Sequence, residues 1–173
     1  TEAVARYSGY RNSSDQWALG RFVVPALRVA ECLTALEQVG PQGHGWPLAI
    51  TLGPAPFADA NPFANGTGGM ERVRAQVGCF EGKVPDPNAV RQLARAAGDQ
   101  RWYGEVDLGG PVSAVLDELS RCGGRAKVRM GGITPEAFPS AAKVAGFLIE
   151  AAHRGLPFKA RLAFTTRFEE SIV

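Results

Sequence analysis

The chain has 173 residues, 45% of them hydrophobic and 21% charged, which is ordinary globular composition and enough for one domain with a core of its own. The 19 Lys and Arg nearly balance the 17 Asp and Glu, so the net charge of +2 gives no argument for nucleic acid or a membrane surface as a partner. No apolar run approaches the ~18 residues of a membrane span, and Cys32, Cys79 and Cys122 are too few and too scattered for a disulfide framework or a zinc site. A reducing cytoplasm fits best, with each cysteine read as a small apolar residue.

In chain order, residues 1–11 read as a first helix and Trp17–Pro25 as the first strand. Ala26–Val39 follows as a helix, with Leu27, Val29, Leu33, Leu36 and Val39 near a 3.6-residue repeat. Trp46–Leu52 is the second strand. Residues 53–69 carry Pro54, Pro56, Pro62 and several glycines, and read as a long loop with room for one helical turn. Val77–Val84 is the third strand. Asp86 then caps a helix over Pro87–Ala97, with proline in its favoured first position. Arg101–Leu108 is a strand, Val112–Arg121 a helix stopped by Gly123-Gly124, and Ala126–Met130 a strand. Ser140 caps a helix over Ala141–Arg154, and Pro157–Phe164 is the last strand. Trp17, Trp46 and Trp102 open strands and read as packing residues.

Short apolar strands alternating with amphipathic helices imply an α/β fold with a parallel sheet. A GxGxxG fingerprint after the first strand and a Walker A motif are both absent. The expected architecture is therefore a single parallel (β/α) barrel of TIM type, incomplete, with about six strands visible and an atypical tail over residues 161–173.

Charged residues inside the later strands favour the barrel. Glu81 and Lys83, Glu105 and Asp107, Lys127 and Arg129, and Lys159 and Arg161 each lie two residues apart, so each pair shares a face of its strand. Buried parallel strands are normally apolar on both faces, so such charges need partners or a ligand. In a barrel the shared face is the lumen, and the C-terminal mouth is where chemistry sits. Lys127, Arg129 and Lys159 would hold an anionic substrate, and Gly131-Gly132 would let backbone N–H groups approach it. Glu105 or Glu81 would act as general acid or base, and Lys159 is the candidate for a Schiff base. The other reading of Glu81, Glu105, Lys127, Arg129 and Lys159 is a salt-bridged polar layer, with Lys83, Asp107 and Arg161 turned outward at strand ends. His44 reads as a solvent-exposed loop residue and His153 as a helix C-terminal cation, and neither has neighbours at metal-ligand spacing. No cofactor is expected; Mg²⁺ at Glu81 and Glu105 is an open alternative.

Residues 126–160 resemble an uncharacterised bacterial protein family with an aldolase-type (TIM) barrel fold. The matching positions are Lys127, Arg129, Gly131 and Gly132, then Ala137-Phe138-Pro139 and Pro157-Phe158-Lys159-Ala160. The opening, with Trp17-Ala18-Leu19-Gly20-Arg21-Phe22-Val23, is similar as well. The resemblance implies the barrel fold more than an activity. Its expected function is lyase or isomerase chemistry on a small phosphate- or carboxylate-bearing metabolite. A non-catalytic anion-binding module and an inactive truncated product are the alternatives. The family continues Lys-Ala-Thr-Ala-Gly-Leu-His-His-Pro-Leu-Arg where this chain departs from Arg161 onward. One back-translation from Phe164, read one base earlier, restores Leu-His-His-Pro-Leu-Arg, so the tail is expected to be a frameshifted remnant. An unclosed barrel would expose sheet edges, which a homo-oligomer would cover.

Overall fold

The structure, a computed structural model, describes residues 2–39, 45–57, 68–132 and 134–161. Helix α1 (Glu2–Arg11) precedes strand β1 (Phe22–Pro25), and α2 (Val29–Val39) leads to β2 (Trp46–Thr51). The short α3 (Gly68–Arg72) precedes β3 (Ala75–Val84), and α4 (Pro87–Ala97) connects it to β4 (Trp102–Val106). Helix α5 (Val112–Arg121), β5 (Arg125–Arg129), α6 (Ala141–His153) and β6 (Phe158–Arg161) complete the described order.

Among the described residues six strands form one parallel sheet, and each pairs with its neighbours in the chain, in the order β1-β2-β3-β4-β5-β6. A doubly wound sheet reverses its order at a switch point; this one does not. It curls into a half-barrel. The curl is legible in a single contact. In a flat sheet β3 and β6 would stand roughly 14 Å apart, three inter-strand steps, yet Glu81 of β3 meets Lys159 of β6 at 2.5 Å. The charged side chains therefore occupy the concave face, and the helices cover the convex one.

The convex face is shaped for close helix approach. Gly82, Gly104 and Ala126 stand in register across β3, β4 and β5 and form a row of small residues. A Cβ at Gly82 would lie 3.0 Å from Leu93 of α4, and one at Gly104 would lie 2.9 Å from Leu119 of α5. Leu93 and Leu119 fill that row and are wholly buried with Phe80, Val84 and Val90 in one continuous core. At the other end of the sheet, Tyr7 of α1 packs edge-on to Phe22, and both meet Trp46.

Local chemistry sets the helix ends. The Asp86 carboxylate accepts the Ala89 amide at 2.9 Å, and Ser140 does the same for Lys143 at 3.4 Å. Asp86→Ala should therefore cost about 1 kcal/mol, read as a lower urea midpoint with an unchanged slope.

The structure corrects several expectations. Residues 14–18 form a 3-10 turn, not the start of β1, and Trp17 is 83% exposed rather than packed. Residues 26–28 form a separate 3-10 turn that carries Leu27 into solvent, fully off the core face of α2. Trp46 and Trp102 do open β2 and β4 and are buried. Cys32 and Cys79 are buried and Cys122 is half-buried, all three as free thiols. His44, residues 58–67 of the long loop, and the chain after Arg161 lie outside the described residues. No helix among the described residues is long and apolar enough to cross a membrane.

Candidate functional site

Two linked assemblies stand on the concave face. The inner one is a chain of charges running Lys159–Glu81–Lys127–Glu105. Glu81 and Lys127 are 3% and 4% exposed. The Lys127 ammonium donates to Glu81 Oε2 at 2.8 Å and lies 2.6 Å from Glu105 Oε2. Lys159 donates to the other oxygen of Glu81 and sits 3.9 Å from the centre of the Tyr103 ring. Each carboxylate of this layer thus meets an ammonium. That is the condition for holding charges away from water without a large penalty.

Burial alone would push the Glu81 carboxyl up. The hydrogen bonds and charges of Lys127 and Lys159 together outweigh it and hold the group below the usual carboxylate value. Cys79, two residues earlier on the same face, is pushed up by burial, which keeps its thiol protonated and unreactive.

The outer assembly is a cleft of about 680 Å³ beyond the C-terminal ends of β3, β4 and β5. Its polar lining includes Lys83, Glu105, Asp107, Arg129 and Lys143. Among the described residues no carboxylate lies within ion-pair distance of Lys83, Arg129 or Lys143. Asp107 is engaged locally, accepting the Gly109 amide at 2.8 Å to shape the turn after β4. Glu105 belongs to both assemblies: its Oε2 faces Lys127 and the residue lines the cleft.

The structure thus divides the sequence-predicted set. Buried Glu81 and Lys127 and half-buried Lys159 form the inner layer with Glu105, which also reaches the cleft, as does Arg129. Lys83, Asp107 and Arg161 are exposed at strand ends, and the first two line the cleft. Gly131 and Gly132 have a steric role. A Cβ at Gly131 would lie 2.8 Å from the Phe138 ring, and one at Gly132 would lie 2.6 Å from Ala137. The Gly131 carbonyl accepts from Arg129 Nε at 2.9 Å.

Lys143 and Tyr103 were not singled out from the sequence. Lys143 carries a signal nonetheless: a cation in the first turn of a helix opposes the macrodipole and calls for a reason. Tyr103 lies two residues before Glu105, on the same face as the charged residues. Among the described residues no group of three or more His, Cys, Asp or Glu is placed to hold a metal ion. The chain matches no protein-family model, no curated protein and no solved structure.

Proposed function

We propose that the half-barrel is the larger part of a TIM-type barrel that acts on an anionic, carboxylate- or phosphate-bearing metabolite bound in the cleft beyond β3–β5. The observation that carries this reading is the convergence on one cleft of Glu105 and three cations, Lys83, Arg129 and Lys143, that have no carboxylate within ion-pair distance among the described residues. The cleft lies at the C-terminal ends of the strands, where barrel enzymes place their sites. The Lys127–Gly132 and Pro157–Ala160 resemblance to an aldolase-type barrel family supports the same fold.

In this reading Arg129 and Lys143 hold the anion. Glu105, whose Oε1 has no partner among the described residues, moves a proton at a carbon next to the substrate carbonyl, in lyase or isomerase chemistry. Lys127 fixes the position of Glu105, and Glu81 with Lys159 holds Lys127 in turn. Lys159 is the lysine for a covalent step if one exists, but its ammonium is engaged by Glu81 and Tyr103, so the first role goes to Glu105.

A ligand at ~100 times its dissociation constant adds about 2.7 kcal/mol to stability. Particular phosphorylated or carboxylated metabolites should therefore raise the melting temperature clearly. Arg129→Ala should abolish that rise, and Glu105→Gln should preserve it while abolishing turnover. A melt that no anion moves, or a shift that survives Arg129→Ala, would sink the reading. One observation favours a second, non-catalytic anion-binding module: Glu105 is already paired with Lys127 at 2.6 Å. In that case Glu105→Gln leaves anion binding unchanged, and neither protein turns over a bound metabolite.

A further inference from the structure

Beside its cations the cleft has an apolar lining. Pro54, Ala55, Val106, Leu108, Phe138 and Pro139 form it. Phe138 is 55% exposed, unusual for a large aromatic side chain with a core beside it. The ring is not loosely placed. It rests on Gly131 so closely that a Cβ there would lie 2.8 Å away, and Ala137 rests on Gly132 in the same way. The Gly131 carbonyl also accepts from Arg129 Nε at 2.9 Å. One dipeptide therefore supports both a cation and an aromatic wall facing the same space.

Size points the same way. A cleft of about 680 Å³ is far more than a bare phosphate or acetate fills. It falls within the roughly 300–1,000 Å³ that takes drug-sized organic ligands, usually bound by apolar walls with a few placed polar groups.

Building on the anion-binding reading of the cleft, we infer that its ligand is an organic oxyanion with an apolar body, acyl or aromatic. The anionic head lies against Arg129 and Lys143, and the body lies along Phe138. Gly131 and Gly132 are positioning residues for that wall. An ammonium or an uncharged hydrocarbon lacks the head, and a small polar sugar phosphate leaves the Phe138 side unfilled.

Calorimetric titration with matched probes tests this: phenyl phosphate against inorganic phosphate, and hexanoate against acetate. The apolar-bodied member of each pair should bind at least about tenfold tighter. Phe138→Ala, at an exposed position where folding is not at stake, should remove most of that gap. Arg129→Ala should weaken all four probes and leave the gap in place. Equal affinities within each pair, or a gap that Phe138→Ala does not change, overturns the inference while the cleft remains an anion site. If no probe binds, or Arg129→Ala has no effect on those that do, the underlying reading falls and this inference with it.

Discussion

Glu81→Ala should cost about 3–5 kcal/mol of stability, the usual loss when one member of a buried ion pair is removed. The alanine would leave Lys127, 4% exposed, with Glu105 as its one remaining acidic neighbour, and would leave Lys159 held by the Tyr103 ring alone among the described contacts. Most of the cost is the positive charge left under-compensated, two ammonium groups against the single Glu105 carboxylate, and not the lost attraction. A double replacement, Glu81→Met with Lys127→Met, should accordingly recover most of the loss, because a well-packed apolar pair often equals a buried ionic one. Urea unfolding of Glu81→Met, Lys127→Met and the double variant closes the cycle. A cost below about 1 kcal/mol for Glu81→Ala would mean that the layer is hydrated like a surface pair.

The same residue gives a pH signature. The Glu81 carboxyl is held below its ordinary 4.5 in the folded chain. A depressed acid contributes stability that is fully present above the unfolded value and lost as pH falls through the folded one. Stability should thus decline on acidification from about pH 4.5 downward, and Glu81→Gln should flatten that decline. An unchanged acid limb in the variant would place the titration elsewhere.

Phe147→Ala should also cost about 3–5 kcal/mol, as large-to-small changes at buried aromatic positions do, but the damage should be local. Helix α6 buries only Phe147 and Ala151, and Phe147 packs edge-on at 5.6 Å against Phe158 of β6. Polar ties also join the C-terminal end of α6 to α5. Arg154 reaches Asp117 at 2.7 Å and Ser113 at 2.8 Å, contacts worth little where water competes. Hydrogen exchange should show α6 and β6 opening while β2 and β3 keep their protection. Ser140 and Lys143, at the start of α6, line the cleft, so the ligand-induced shift should fall as well. Uniform loss of protection across the sheet would show that α6 is not a separable unit.

Helices with strong punctuation were legible in the sequence. Asp86-Pro87 opens α4, and Gly123 follows α5 closely, because caps and left-handed glycines act locally. Errors arose where apolar composition stood in for geometry. Trp17 and Leu27 look like core residues but ride on 3-10 turns that face solvent. Residues 75 and 76 extend β3 because its partner Trp46 pairs with Ala75, which no local pattern announces.

For the site, the period-2 charges revealed a shared face. They did not reveal which charges would pair across the curl. That depends on sheet curvature, so the division into an inner Glu81–Lys127–Lys159 layer and an open Lys83–Arg129–Lys143 cleft was out of reach. The Gly131-Gly132 pair was read as room for a ligand, and the structure fills that room with Phe138 and Ala137.

Since every strand lies beside the one made just before it, the sheet can be assembled in the order of synthesis, each β/α unit docking on a finished edge. The exception is the ionic layer, in which Glu81 waits 46 residues for Lys127 and 78 for Lys159. A chain that ends at α5 carries the Glu81 and Glu105 carboxylates on the concave face without either lysine of the layer. The arrival of β5 and then β6 neutralises them in two steps. The layer is therefore the most non-local part of the half-barrel: its contacts close only when the last described strand is in place.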